Sequence, residues 1–127
     1  MNTKLVLYWT ITILLASELL VGGMWDLTHY HYVLAIVTRL GYPAYVLSIL
    51  GFWKVLAGVA ILVPRLPMLK EWAYAGVFFE MTGALASHVA HGDSAVNLIA
   101  PAIFAAITVA SRALRPADRR SAAIAHA

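Results

Sequence analysis

The chain has no cysteine. That absence excludes a disulfide framework, a zinc–thiolate site, a cysteine-held iron–sulfur cluster and thiol redox chemistry by the chain's own residues. Charge is scarce too. Asp, Glu, Lys and Arg together make up 12% of the 127 residues, about half the share usual in a soluble domain. No Gly-rich phosphate loop, nucleophile elbow or Ser/His/Asp arrangement is present, and no segment is low-complexity or repeated. What remains is apolar: 62% of the residues are hydrophobic and the mean hydropathy is +0.81. These values exclude a soluble globular fold, a disordered tail and a solvated coiled coil. The net charge of +3 does not mark a nucleic-acid binder, because the basic residues sit at the ends of apolar runs and form no patch. They read as membrane-topology signals. The composition points to an integral membrane protein with one domain.

Crossing the hydrocarbon core takes about 20 mostly apolar residues in a helix. Four segments approach this: residues 5–25, 44–63, 72–90 and 95–111, the last short and carrying Pro101. The expected fold is all-α, an integral membrane four-helix bundle over residues 1–115 with a cytoplasmic tail at 116–127. The connection from Asp26 to Pro43 is long and holds an apolar stretch, Val33-Leu34-Ala35-Ile36-Val37, which suits a short helix lying in the interface. Pro64-Arg65-Leu66-Pro67 is expected to end the second span. His91-Gly92-Asp93-Ser94 reads as a tight turn offering an N-cap to the fourth helix, and the tail after Arg115 as loosely ordered. Orientation follows from the basic flanks: Lys4, Arg65, Lys70, Arg112, Arg115, Arg119 and Arg120 fall on one side and only Arg39 on the other. The rule that positive flanks stay inside places both termini in the cytoplasm. The aromatic residues fit two interfacial belts, with Tyr8, Trp9, Trp72 and Tyr74 inside and Trp25, Tyr30, Tyr42 and Tyr45 outside. A cleaved signal peptide is the alternative for the first span, against which stand Glu18 at the place of cleavage and the apolar pattern continuing to Trp25.

Three ionisable residues fall inside the spans: Glu18, Lys54 and Glu80. Such groups are costly in a bilayer and face the bundle interior with partners. At 1.5 Å per residue, Glu80 lies about 12 Å from the inner edge, Lys54 about 14 Å and Glu18 about 20 Å. Lys54 and Glu80 thus share a level. Gly51, Lys54 and Gly58 in the second span match Gly76, Glu80 and Gly83 in the third when the helices run antiparallel. A close pair is expected there, with Gly58 beside Gly76 and Gly51 beside Gly83. Glu80, Ser87 and His91 share one line of the third helix, and His88 lies on its flank. Two carboxylates and one ammonium sum to −1 when ionised, so the site suits proton exchange as well as a purely structural staple. Glu80, Lys54 and Glu18 are accordingly the candidate catalytic residues. His29 with His31, and His88 with His91, form two short histidine patterns at the outer face. They are metal or haem candidates on one reading and water-bonded interfacial residues on the other. His126 falls in the tail.

The block from residue 41 to 94 carries several distinctive pieces: Gly41-Tyr42-Pro43, Gly51-x-Trp53-Lys54, Pro64 followed by Leu69-Lys70-Glu71-Trp72-Ala73-Tyr74-Ala75-Gly76, and Thr82-Gly83 with Ala86-Ser87-His88. Gly23 with Asp26-Leu27-Thr28 belongs with them. Together these pieces resemble the DoxX-like family of small four-helix bacterial membrane proteins, over about residues 5–115. Glu80 stands where many relatives carry Asp, and His29, His31 and His91 are departures to which no family role carries over. The resemblance implies a bacterial inner-membrane protein of a group with redox and detoxification associations, including a subunit of a thiosulfate–quinone oxidoreductase. It marks Lys54, Glu80 and His88 as motif positions without an assigned catalytic role. His88, Ser87, Trp53 and Asp26 all lie on these pieces and form the candidate ligand-binding set.

Four functions stay open. The chain binds a quinone or another small lipophilic molecule within a redox or detoxification system; or it is an acid–base enzyme, an isomerase or hydrolase, with Glu80 as the acid or base and Lys54 tuning it; or it is a small proton-coupled transporter; or it is a structural partner protein. Its expected partners are the lipid bilayer, a lipophilic ligand, and further copies of itself or a redox complex. Quinone is the cofactor class the first function implies, with haem through His88 as the other.

Overall fold

A computed structural model describes residues 2–119, and these form five α-helices and a terminal turn. The helices are α1 (Thr3–Leu27), α2 (His31–Arg39), α3 (Tyr45–Leu62), α4 (Pro67–His91) and α5 (Val96–Ala113), followed by a 3₁₀ turn at Ala117–Arg119. The expected all-α architecture and the short helix between the first two long ones are both present. Residues 120–127, with His126 and most of the expected tail, lie outside the described residues.

The long helices form a closed ring, α1 against α3, α3 against α4, α4 against α5 and α5 against α1, while α2 lies across α1 and α3 at one end. Neighbours in the ring run antiparallel. Early Gly51 of α3 meets late Gly23 and Leu27 of α1, and late Gly58 meets the earlier Leu19 and Leu20. The glycine seam thus joins α3 to α1, which corrects the expected α3–α4 seam. A Cβ on Gly76 or Gly83 would meet nothing within 4 Å. Identical spacing in two helices does not bring their glycines together; the neighbour that owns the complementary surface does, and Gly23 supplies that surface on α1.

Three helices, α1, α3 and α5, are long and apolar enough to cross a membrane. The fourth expected span, α4, is not among them although it is 25 residues long. Glu80, Thr82, Ser87 and His88 dilute its apolar character. It also starts earlier than expected, with Pro67 as its first residue rather than part of the turn; a proline is tolerated there because the first helical N–H has no partner to lose. The reversal before it is carried by Arg65 and Leu66, both left-handed at φ 63° and 52°.

The two halves of the ring differ. In the half holding the start of α1, Leu15, Leu19, Ile61, Tyr74, Val77 and Met81 pack into one buried cluster. Beneath it Ser111 Oγ links Thr12 Oγ1 (2.6 Å) to Tyr74 OH (2.8 Å). Tyr8 and Tyr74 are therefore buried core residues rather than members of the inner aromatic belt, whereas Trp72 is exposed. Several basic residues of this end are structural as well. Lys70, fully buried, donates to the carbonyls of Ala60 (2.6 Å) and Val63 at the end of α3. Arg119 donates to Ile61 and Val63 (3.2 Å each) and lies over the Trp9 ring at 4.7 Å. These carbonyls have no partner within α3, and cations satisfy them while complementing the helix dipole. The stretch after Arg115 is thus anchored as far as Arg119, not loose. Glu71 holds Arg112 (2.9 Å) and Arg115 beside it.

Candidate functional site

Lys54 stands at the centre of the opposite half. Its Nζ lies 3.1 Å from Asp26 Oδ2, 3.3 Å from Glu80 Oε1 and 3.6 Å from Glu18 Oε1. The expected Lys54–Glu80 pairing is present and Glu18 joins it, although the sequence placed that residue a turn higher. The third acid is new in this role: Asp26, expected only among ligand contacts, is the nearest carboxylate, and its side chain is 4% exposed. The local reason lies in α1. Glu18, Gly22 and Asp26 follow one another at i, i+4 and i+8 on a single helix face. Gly22, between the two acids, leaves the room that the ammonium fills: a Cβ there would stand 2.8 Å from Glu18 Oε1 and 3.7 Å from Lys54 Nζ. That spacing is the sequence signal that would have found Asp26.

With three carboxylates around one ammonium, the ionised cluster sums to −2 rather than the expected −1. Lys54 has three protons, one for each acid. The acids have six oxygens, and among the described residues Glu18 Oε2 is buried without a partner.

Above the cluster opens a cavity of about 360 Å³. Its floor is Asp26, Lys54 and Glu80, and His88, Ser87 and Tyr42 stand higher on the wall. The rest is apolar: Val33, Ile36 and Val37 of α2, at helical spacing, and Leu40 just after it face Val46, Leu47 and Leu50 of α3 and Phe79 and Ala84 of α4. Gly83 also lines it, so this glycine opens space rather than sealing a helix pair.

The cover, α2, buries none of its own residues and is tied down by polar bonds. Arg39 grips Asp93 through two hydrogen bonds of 2.6 and 3.0 Å. His88 Nδ1 lies 2.5 Å from the same carboxylate. Tyr42 OH meets Ser87 Oγ at 2.6 Å just beyond α2, and His29 Nε2 meets Ser48 Oγ at 2.9 Å just before it. Arg39 and His88 hold the Asp93 carboxyl well below the usual carboxylate range. The turn of residues 91–94 therefore gives α5 no side-chain cap, although an N-cap is expected from it. The α5 N-cap is Ala95, with no side-chain bond.

Of the other candidates, Ser87 and His88 line the cavity, and Trp53 does not: it is 62% exposed on the outer surface. Neighbouring helical residues point about 100° apart, so turning Lys54 inward turns Trp53 outward. The four histidines do not assemble. His29 and His88 have separate partners, His91 is exposed, and among the described residues no three His, Asp or Glu side chains are grouped to hold a metal ion. Sequence reasoning did not find the Arg39–Asp93 tie, which joins residues 54 apart.

Apolar helices around a buried charge cluster and an apolar cavity define a small α-helical membrane protein. A family model for the DoxX-like family matches residues 10–111, and the chain belongs to that family. Comparison with curated proteins and with solved structures finds no match.

Proposed function

We propose that the protein binds a small lipophilic molecule, a quinone-type compound being the first class to test, as a bacterial inner-membrane component of a redox or detoxification system. One observation carries this: apolar walls from α2, α3 and α4 converge on a charged floor. Ligand sites are commonly such clefts of about 300–1,000 Å³ with a few polar groups that orient the ligand. In this reading α4 is the fourth spanning helix, its polar residues turned to the cluster and cavity, and α2 lies in the outer interface as the cover. Both termini are cytoplasmic; Lys70, Arg112, Arg115 and Arg119 at one end of the bundle, with Arg39 at the other, support this. Assembly into a homo-oligomer or a redox complex belongs to the same proposal.

The test is a titration of the purified protein in lipid nanodiscs with a short-chain ubiquinone, in oxidised and reduced form. Saturable thermal stabilisation by either form, lost in Ala84→Phe, which fills the cavity, is the expected result. No saturable effect from either would overturn the proposal. A second reading, acid–base catalysis on a lipophilic substrate, is favoured by Glu80, which both borders the cavity and touches Lys54. Loss of turnover in Glu80→Gln with folding intact would support it.

A further inference from the structure

The hydrogen-bond inventory of the cavity wall is weighted towards acceptors. Six polar side chains border the cavity: Asp26, Tyr42, Lys54, Glu80, Ser87 and His88. Consider each proton they carry. Ser87 Oγ donates to the Gly83 carbonyl at 2.8 Å, so in the 2.6 Å contact with Tyr42 it is the tyrosine that donates. Both hydroxyl protons are therefore engaged within the protein. Asp93 already accepts two guanidinium bonds as a carboxylate, so His88 donates to it through Nδ1. In the neutral ring that leaves Nε2 as an acceptor. Lys54 Nζ is ringed by Asp26, Glu80 and Glu18 at 3.1, 3.3 and 3.6 Å. Of the backbone amides on the wall, those of Leu40 and Tyr42 donate to Ile36 and Val37. With the carboxyls ionised and His88 neutral, what is left over is mainly acceptor capacity: oxygens of Asp26 and Glu80, and the imidazole nitrogen.

From this we infer that the cavity selects a ligand whose polar end donates hydrogen bonds, a hydroxyl-bearing ring or a primary ammonium on an apolar body, over one whose polar end only accepts. The inference rests on the binding function proposed above and narrows it. A quinone carbonyl would find both wall hydroxyls engaged and would compete with the carboxylates for Lys54. The corresponding hydroquinone would bring two donors to a floor short of them. Leaving a buried acceptor unmatched costs more than an average hydrogen bond gains, and a site built for a donor rejects the analogue that lacks it. The negative sum of the cluster acts in the same direction, since a donor head presents its positive pole to the carboxylates.

The experiment compares matched probes on the unaltered protein in nanodiscs, read as dissociation constants. A short-chain ubiquinol is set against its ubiquinone and against the dimethyl ether of the hydroquinone, under anaerobic conditions that hold each redox form. Decylammonium is set against decyltrimethylammonium. The expected result is at least tenfold tighter binding of the hydroquinone than of the quinone or the ether, and of the primary ammonium than of its methylated counterpart. Equal or tighter binding of the quinone would overturn this inference and leave the proposed function standing. Equal binding of the two ammonium probes would also overturn it, by showing that charge rather than donation selects. No saturable binding by any probe would overturn both. Glu80→Gln gives an internal check: replacing a carboxylate oxygen by an amide N–H should narrow the hydroquinone preference towards unity. If that variant does not fold, the probe comparison on the unaltered protein still decides.

Discussion

Gly51→Ala is the sharpest test of how the bundle is held together. The added Cβ would stand 2.7 Å from the Gly23 carbonyl oxygen, 2.8 Å from the Leu27 nitrogen and 2.9 Å from Leu27 Cγ. Ordinary contact begins at 3.4 Å, so α1 has to retreat by 3.4 − 2.7, about 0.7 Å, and two of the three obstacles are backbone that cannot rotate away. Overpacking of this kind costs about 1–3 kcal/mol. The retreat would also draw Asp26, one residue before Leu27, away from Lys54. The control is Gly76→Ala, where a Cβ meets nothing within 4 Å. In a helix interior alanine is favoured over glycine by up to about 1 kcal/mol, so this variant should be neutral or slightly stabilised. Both are to be measured by reversible unfolding in mixed detergent micelles, where free energies are read directly. If Gly76→Ala destabilises the protein as much as Gly51→Ala, the seam lies between α3 and α4 and the packing described above is wrong.

Lys54→Met removes the only cation among three carboxylates and should cost about 3–5 kcal/mol, as for other buried pairs that lose one partner; replacing Glu80 by Leu at the same time should recover part of the loss in the same unfolding assay. Lys70→Met leaves the Ala60 carbonyl without its donor and the Val63 carbonyl with Arg119 alone, and should cost about 1–3 kcal/mol, with faster amide exchange at the end of α3. The tie of α2 to the bundle depends on pH through Asp93. Because its carboxyl is held below the usual range, the stabilisation is complete above the ordinary aspartate value of about 3.9 and disappears only as the pH falls below it. Hydrogen exchange in α2, referred to intrinsic rates, should therefore be flat from pH 5 to 8 and rise in stronger acid, whereas Arg39→Gln should raise it at every pH. A loosening of α2 near neutral pH in the unaltered protein would count against Asp93 as the latch.

The sequence by itself determined the all-α class, the short helix between the first two long ones, and the meeting of Lys54 with Glu80. It could do so because each follows from local rules: apolar run length, amphipathic spacing, and the cost of an unpaired charge inside a bilayer. What only the tertiary structure decided was which helix neighbours which. Gly51 and Gly58 press on α1 instead of α4, Asp26 comes within 3.1 Å of the ammonium, Trp53 turns outward, and Arg39 reaches across to Asp93 and closes α2 over the cavity. A helix carries the same face whichever partner covers it, so periodicity names the residues of a face but not their opposite numbers. The cavity is likewise a property of several surfaces at once: Gly83 and Ala84 make it only because Val33, Ile36 and Val37 of a separate helix stand opposite.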